Sequence, residues 1–332
     1  MPLKLKVIAR TDKGLVRPGN EDYLHIDDEN LVYAVCDGMG GHQAGEVASM
    51  TASEVIKTAF LEFSAELMQD PLLTLNRTVP GTGDLLLKAI RLANRAIYRK
   101  AQMDPSLTGM GTTIISVACE ADIMSIAHVG DSRAYRLRQD KIEPLTVDHS
   151  WVAEMQAQQN LSREEANALV GKNIILRALG VRENIEIDYR IIRLQPGDQF
   201  LLCSDGLCGY ADDDEIFEIA RPRRDNLEKM AEDLIQMAND RGGPDNVSVI
   251  IIEVLEVNKS VLPELEVMTF PSESPEALEA EDHWIDKILA RQPTVTAEIQ
   301  SGTGSPRPLL LAGIFCLFAA VAALIVYLVA FK

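Results

Sequence analysis

The sequence is poor in cysteine and shows none of the cysteine patterns that carry chemistry. It has 332 residues and five cysteines. None of the five stands at a zinc-ligand spacing with histidine, and no Cys-x5-Arg run offers a nucleophile with a phosphate loop. The odd count and the apolar surroundings predict reduced, mostly buried thiols of a cytosolic domain. The cysteines are Cys36, Cys119, Cys203, Cys208 and Cys316.

Basic residues are also scarce relative to acids. There are 32 lysines and arginines against 50 aspartates and glutamates, which gives a formal net charge of −18. Because nucleic-acid binding needs a basic face, this balance argues against a nucleic-acid partner. The first residues of the chain lack the long apolar core of a signal peptide.

The chain has no internal repeat and no regular βαβ alternation. Short apolar runs typical of strands lie between hairpin-like turns, whereas helical patterns over 47–63 and 86–101 stand apart from them. This arrangement predicts an α+β domain with antiparallel sheets and helices packed outside them. A polar, helix-forming stretch over about 150–182 interrupts the strand series like an inserted flap.

Acidic residues recur where apolar runs end or begin. Asp37 is the first clear example, because it follows a buried-strand pattern and precedes glycines that can take unusual backbone angles. Hard oxygen ligands of this kind suit Mg²⁺ or Mn²⁺ rather than zinc. Any one of these acids alone is more simply a turn or cap residue, but together they favour a metal site. The set is Glu21, Asp22, Asp37, Asp131, Asp205 and Asp245.

The runs that contain these acids resemble a known family. They occur in the order found in the metal-dependent Ser/Thr protein phosphatases, the protein phosphatase 2C or PPM family, and the chain is similar to its bacterial branch over about residues 5–255. The runs are Arg17-Pro18-Gly19-Asn20-Glu21-Asp22, Asp37-Gly38-Met39-Gly40-Gly41, Gly111-Thr112-Thr113, His128-Val129-Gly130-Asp131-Ser132-Arg133, Ser204-Asp205-Gly206-Leu207 and Asp245-Asn246-Val247-Ser248.

The resemblance implies a fold and a set of site residues. The fold is a four-layer αββα sandwich, in which two antiparallel sheets lie face to face with helices outside each. The ions are Mn²⁺ or Mg²⁺, two of them catalytic and a third seen in bacterial members. In the implied roles, Asp37 bridges two ions, the Gly38 carbonyl binds one of them, and Asp205 and Asp245 complete the ligands of the first ion. Glu21 and Asp22 act around the second ion, partly through water. Asp131 with Asp205 holds the third ion, and Arg17 binds phosphate.

The implied chemistry is hydrolysis of phosphoserine or phosphothreonine on proteins. Two neighbouring cations acidify a bridging water, and the resulting hydroxide attacks phosphorus in line while the ions offset the developing charge. Arg17 is able to grip two phosphate oxygens at once, which a lysine cannot do. We therefore expect Arg17 and Asp37 to be catalytic residues.

The sequence departs from the family pattern at two places. Eukaryotic members have a histidine directly after the Asp-Gly pair as a proposed general acid, whereas Met39 stands there in this chain as in bacterial members. His42, three residues later, is a candidate general acid or a structural residue. The flap lacks the histidine often found before the run over 173–180, which leaves flap-dependent substrate choice open.

Two other functions compete with the phosphoprotein phosphatase. One is a non-catalytic pseudophosphatase that binds phosphoproteins, although no expected metal ligand is lost. The other is a two-metal phosphoesterase that acts on small molecules. Activity on a phosphopeptide compared with an aryl phosphate separates these functions.

The composition changes after the phosphatase-like region, 1–255. Residues 256–308 are acidic and carry scattered proline, serine and glycine, which predicts a flexible linker with at most a short amphipathic helix over 276–290. Residues 309–331 carry no charge and are long enough to span a bilayer. We therefore expect a single-pass membrane protein with a C-terminal anchor, whose monomeric catalytic domain faces the cytoplasm. Its expected partners are phosphoprotein substrates and a Ser/Thr kinase with its targets.

Overall fold

The computed structural model describes residues 3–40, 43–70, 73, 79, 81–159, 165, 174–259, 265–270 and 275–291. In these ranges no helix combines the length and the apolar character that a bilayer crossing needs. The span expected over 309–331 and the candidate general acid His42 both lie outside the described residues. The compact unit that contains the site ends at Arg291.

Two antiparallel sheets form the centre of this unit. The first has five strands in the order β1 (Lys4–Asp12), β11 (Val247–Glu256), β10 (Gln199–Cys203), β7 (Arg133–Arg138) and β8 (Lys141–Pro144). The second has seven strands, in the order β12 (Leu265–Phe270), β9 (Ile187–Arg193), β6 (Ile123–Val129), β5 (Ile114–Glu120), β3 (Val32–Met39) and β2 (Asp22–Asp27), with the short β4 (Gly111–Thr112) paired to β3.

The helices lie outside the sheets. They are α1 (Gln43–Glu62), α2 (Ser64–Gln69), α3 (Gly81–Met103), α4 (Trp151–Gln159), α5 (Asp205–Cys208), α6 (Asp213–Ala220), α7 (Leu227–Asp240) and α8 (Pro275–Arg291), with short 3₁₀ turns at Pro105–Leu107 and Arg221–Arg223. Only α4 and the segment over 174–182 are described at length within the expected flap.

Successive side chains of the central strands pack into different apolar cores, because they point to opposite faces of the sheet. In β3, Ala34 and Cys36 pack with α1 and α3, whereas Tyr33 and Val35 pack between the two sheets. In β11, Ile250 and Ile252 belong to the same inter-sheet core. The opposite face of β11 packs against α6 and α7. The result is helix, sheet, sheet, helix, which agrees with the expected four layers. The four described cysteines are free and buried, as expected.

Part of the expected linker over 256–308 is folded where the structure describes it, and the short amphipathic helix that the sequence allowed over 276–290 is present as α8. Strand β12 pairs with β9 and forms the edge of the second sheet, and α8 packs on α3. Three large apolar side chains of α8 are buried against this helical layer: Trp284, Ile285 and Ile288. Acidic composition alone suggested a solvated segment, but the apolar side chains of α8 recur at helical spacing, and three of its acids pair with arginines of α3.

The contact between α8 and α3 includes a buried ion pair. Arg91 of α3 donates to Glu281 of α8, and both side chains are less than a tenth exposed. Arg95 donates to the two carboxylate oxygens of Asp282 at 2.7 and 2.8 Å. Removing one partner of a buried pair is costly, because the remaining charge stays in a poorly solvated place.

We expect a chain cut after Glu256 to be much less stable than one cut after Arg291. The shorter chain exposes the apolar layer under α8 and removes the carboxylate partner of Arg91, at a cost of about 3–5 kcal/mol for the ion pair alone. Thermal and urea unfolding of the two truncated proteins measures the difference. Equal unfolding free energies would contradict the docking of α8.

Candidate active site

The expected acids converge at one end of the two sheets, although they come from five places in the sequence. Asp22 and Asp37 are direct partners in the register of β2 and β3. The other three lie at strand or helix ends: Asp131 follows β6, Asp205 is the first residue of α5, and Asp245 stands before β11. The charges of the other four acids all act on Asp37, so the cluster is a single electrostatic unit.

Asp37 occupies the centre of this cluster and its backbone is held from one side. Its carbonyl oxygen accepts hydrogen bonds from the Thr113 amide at 2.8 Å and from the Thr112 hydroxyl at 2.9 Å. Burial and the neighbouring carboxylates raise the pKa of Asp37 well above its usual range.

Gly38 permits a close approach of α1 to this strand end. A Cβ atom on Gly38 would lie 2.2 Å from the Gly45 carbonyl oxygen and 2.6 Å from that of Glu21. The Gly38 amide donates to the Glu21 carbonyl at 3.1 Å. No side chain larger than hydrogen fits here without moving the backbone of both neighbours.

The remaining carboxyl groups are also shifted in pKa. Burial raises the pKa of Asp22 to about 7, although hydrogen bonds from Ser248 and Ser204 lower this pKa in part. Burial and the charge of Asp245 raise the pKa of Asp205 to about 6. These shifts express the free-energy cost of holding several negative charges in a partly dry cleft.

Asp131 borders a cleft next to this cluster. Burial and the charges of Asp205 and Asp148 raise the pKa of Asp131 to about 8. One carboxylate oxygen of Asp131 is buried with no hydrogen-bond partner, and one of Asp22 is in the same situation. Arg133 also lines this cleft and donates to both oxygens of Asp148 at 2.6 Å.

The loop between β1 and β2 carries Arg17 and Glu21 to the cluster. Arg17 donates to Asp245 at 2.8 Å, and its side chain is 44% exposed. Asn246 holds this loop, because its amide group donates to the Lys13 and Gly19 carbonyls and its oxygen accepts from the Glu21 amide. The sequence assigned no role to Asn246, although it stands directly after Asp245 in one of the family-like runs.

Other supporting residues were also not singled out from the sequence. The Ser204 hydroxyl donates to Asp22 at 2.9 Å across the two sheets. Thr113 and Ser132 share a hydrogen bond at 2.7 Å beside Asp37 and Asp131. Both contacts join residues that are distant in sequence, and their only signal was their place inside the family-like runs.

The donor set suits hard divalent cations. It consists of carboxylate and backbone carbonyl oxygens, with two buried carboxylate oxygens that lack partners and several carboxyl groups whose charges repel one another. No histidine or cysteine is among the expected ligands described here, which fits Mg²⁺ or Mn²⁺ better than zinc. A bound cation would offset the repulsion that raises these pKa values.

Comparison with known proteins places the chain in a family. A family model described as protein phosphatase 2C matches residues 17–246. The chain is 38% identical over 247 residues to the serine/threonine phosphatase stp of Listeria innocua, which covers 74% of this chain and 94% of that protein. It is 36% identical over 257 residues to the serine/threonine protein phosphatase PstP of Mycobacterium tuberculosis, covering 76% of this chain and 46% of that protein.

Solved structures give the same result. A crystal structure of Mycobacterium tuberculosis PstP matches with a TM-score of 0.65 at 33% identity, covering 76% of this chain and 99% of that one. The PstP catalytic domain in complex with two manganese ions matches with a TM-score of 0.62 at 34% identity, covering 76% of this chain and all of that one. The chain therefore belongs to the protein phosphatase 2C family, and with it to the protein-serine/threonine phosphatases.

Proposed function

We propose that the chain removes phosphate from phosphoserine and phosphothreonine side chains of proteins, in a reaction that depends on Mn²⁺ or Mg²⁺. The observation that carries the proposal is the convergence of Asp22, Asp37, Asp131, Asp205 and Asp245 beside an exposed arginine. The relatives named as serine/threonine phosphatases support the substrate class, and the PstP complex with two manganese ions supports the cofactor.

In this proposal the carboxylates hold the ions and Arg17 holds the substrate. Asp37, the Gly38 carbonyl, Asp205 and Asp245 would hold one ion, and Glu21 and Asp22 would act around a second, partly through water. Asp131 with Asp205 would hold a third. When bound, such ions lower the pKa of a coordinated water and offset negative charge on the phosphoryl oxygens.

Arg17 is suited to a substrate that arrives with negative charge. Its guanidinium already bonds one carboxylate of the cluster, Asp245, while nearly half of its side chain stays open to solvent. A guanidinium offers paired N–H groups in a fixed plane, so it can bind two phosphate oxygens together. This position lets Arg17 orient the phosphoryl group over the carboxylate cluster.

The buried thiols support a mechanism without a cysteine nucleophile. Burial raises the pKa of Cys36. The pKa of Cys208 is raised well above the usual range, mainly by a hydrogen bond with Cys203 and also by burial. A thiol attacks phosphorus as the thiolate, so neither group is poised to do so near neutral pH.

We expect Asp37→Asn to lose nearly all activity on a phosphothreonine peptide, by at least about a thousandfold, because it removes charge from the centre of the cluster. Asp28→Asn is the matched control, since Asp28 stands in the turn at the other end of the β2–β3 hairpin. Steady-state kinetics with added Mn²⁺ measures both variants, and excess EDTA should silence the wild type. Full activity of Asp37→Asn, or of wild type in EDTA, would refute the proposal.

The raised pKa values predict how pH acts on the protein when EDTA removes cations. Asp205, Asp22 and Asp131 have pKa values near 6, 7 and 8 in the folded protein, against about 4 in an unfolded chain. Protonation therefore favours the folded state, and this contribution is complete below about pH 4 and is lost as the pH rises through 6–8.

We expect the unfolding temperature in EDTA to fall between pH 5.5 and 8.5, and we expect added Mn²⁺ to abolish most of that fall. Differential scanning calorimetry at matched ionic strength measures both curves. Asp131→Asn removes one titrating group and should flatten the EDTA curve. An unfolding temperature in EDTA that rises over this range would contradict the raised pKa values.

We further propose that residues 309–331 anchor the phosphatase in a membrane, with the catalytic unit on the cytoplasmic side. The segment has no charged residue and, as a helix of 1.5 Å per residue, would reach about 34 Å, enough for a hydrocarbon core. Free, buried cysteines suit a reducing compartment, where phosphoprotein substrates are made. A membrane Ser/Thr kinase and its targets would then share the surface that this enzyme serves.

We expect the full chain to sediment with membranes and to be released by detergent but not by alkaline carbonate, because an inserted apolar helix resists a wash that strips peripheral proteins. A chain cut after Arg291 is the control and should stay in the supernatant. Immunoblotting of the fractions measures the partition. A full chain found in the supernatant without detergent, or a catalytic unit digested by protease added outside intact cells, would refute the anchor or its orientation.

A further inference from the structure

His149 is a buried histidine that the proposed chemistry does not use. It lies between β8 and α4, at the point where the flap leaves the first sheet, and it is only 8% exposed. Its ring and its backbone both have hydrogen-bond partners on other segments of the chain. Those partners connect the flap to the loop that carries Asp131.

Gly130, the residue before Asp131, is held twice by His149. The His149 amide donates to the Gly130 carbonyl at 2.8 Å, and the Gly130 amide donates to Nδ1 of the His149 ring at 3.1 Å. Gly130 has φ of +111°, and a Cβ atom there would lie 2.6 Å from Thr113. The backbone leading to the Asp131 carboxylate is therefore fixed by Thr113 on one side and His149 on the other.

The second ring nitrogen of His149 points to strand β9 of the other sheet. Its Nε2 lies 3.2 Å from a carboxylate oxygen of Asp188. Because Nδ1 accepts a hydrogen bond, the neutral ring carries its proton on Nε2 and donates it to Asp188. The ring also stacks on His128, with centroids 4.6 Å apart and planes 16° from parallel.

The flap base is tied to the same histidine. The Leu176 amide donates to the His149 carbonyl at 2.8 Å, and Ser150 forms a bridge with Ile175. A guanidinium nitrogen of Arg177 lies 3.1 Å from a carboxylate oxygen of Asp188 and 3.3 Å from Nε2 of His149. Two segments of the flap therefore meet at this residue.

The same cluster is a poor site for a metal ion. His128, His149 and Asp188 have ligand atoms within 4.8 Å of one another. However, His128 Nε2 is 2.9 Å from the Val147 carbonyl, and the Arg177 guanidinium already supplies the positive charge at Asp188. The geometry favours a structural connection over a ligand set.

We propose that His149 is a positioning residue, which fixes the Asp131 carboxylate and the flap base in one arrangement and thereby sets the affinity of the third cation. This inference rests on the proposed function, since it assumes that Asp131 holds an ion. The essential contact is the hydrogen bond from the Gly130 amide to Nδ1. The contact between Nε2 and Asp188 orients the ring.

Two substitutions separate these contacts. His149→Asn places an amide oxygen near the position of Nδ1, so it is able to accept from Gly130 but too short to reach Asp188. His149→Gln places a donor near the position of Nε2 and loses the acceptor for Gly130. His149→Ala removes both. His25→Gln is the matched control, because His25 is an equally buried histidine whose ring bonds Ser53 and does not contact Gly130.

The first readout is amide hydrogen exchange at Gly130 in the full chain in detergent, which needs neither metal nor activity. We expect exchange to rise by about tenfold or more in His149→Ala and His149→Gln, and to stay near wild type in His149→Asn and His25→Gln. Unchanged protection of Gly130 in His149→Ala would overturn the proposal. Rescue by His149→Gln and not by His149→Asn would also overturn it, because the Asp188 contact would then be the essential one.

The second readout is Mn²⁺ binding, followed by the paramagnetic resonance signal of free Mn²⁺. We expect the ion that Asp131 holds to lose about tenfold in affinity in His149→Ala, which corresponds to about 1.4 kcal/mol, with recovery in His149→Asn. Asp131→Asn should remove that ion entirely. If Asp131→Asn binds Mn²⁺ like wild type, the third-ion part of the proposed function is wrong. The hydrogen-exchange measurement then still tests whether His149 holds Gly130. Unchanged affinity in His149→Ala beside a loss in Asp131→Asn would refute the inference alone.

Discussion

Repulsion among carboxylates in a confined cleft is the constraint on which the rest of this structure depends. Asp37 lies within reach of the charges of Asp22, Asp131, Asp205 and Asp245, and burial removes much of the water that would screen them. Without other constraints, the repulsion would move these carboxylates apart. The fold therefore has to hold them by backbone contacts that do not depend on their charge, and a divalent cation converts the same repulsion into binding energy.

Those backbone contacts come from both sheets. Asp22 and Asp37 are held by the pairing of β2 with β3, whereas Asp205 and Asp245 are placed by the ends of β10 and β11 in the opposite sheet. The distance between the two groups is consequently set by the apolar core between the sheets, in which Tyr33, Val35 and Ile250 are fully buried. Close packing there makes the spacing rigid, and rigid spacing is what a site for two or more ions requires.

The outer helices serve the site less directly. Arg95 of α3 bonds Asp282 of α8 and also Glu183, directly after the flap, while Asn94 donates to the carbonyls of Arg182 and Glu183. One turn of α3 thus holds both the segment that follows the flap and the helix that lies beyond the matched family region. This explains why α8 behaves as part of the catalytic unit, although its composition resembles a linker.

The amino-acid sequence by itself determined the α+β class, the strand-end acids and the family, because strand periodicity and ordered short runs are local properties of the chain. It also showed that the chain has no Cys-x5-Arg run that would offer a cysteine nucleophile with a phosphate loop. Only the tertiary structure decided that Asn246 holds the Arg17 loop, that His149 supports Gly130, and that α8 docks through Arg91 and Glu281. Each of these contacts joins residues far apart in the chain, and no local pattern encodes which distant segment will satisfy a buried polar group. The carboxylate cluster shows the same contrast between sequence and tertiary structure. The sequence identified each carboxylate separately, and the packing of the two sheets brought them together.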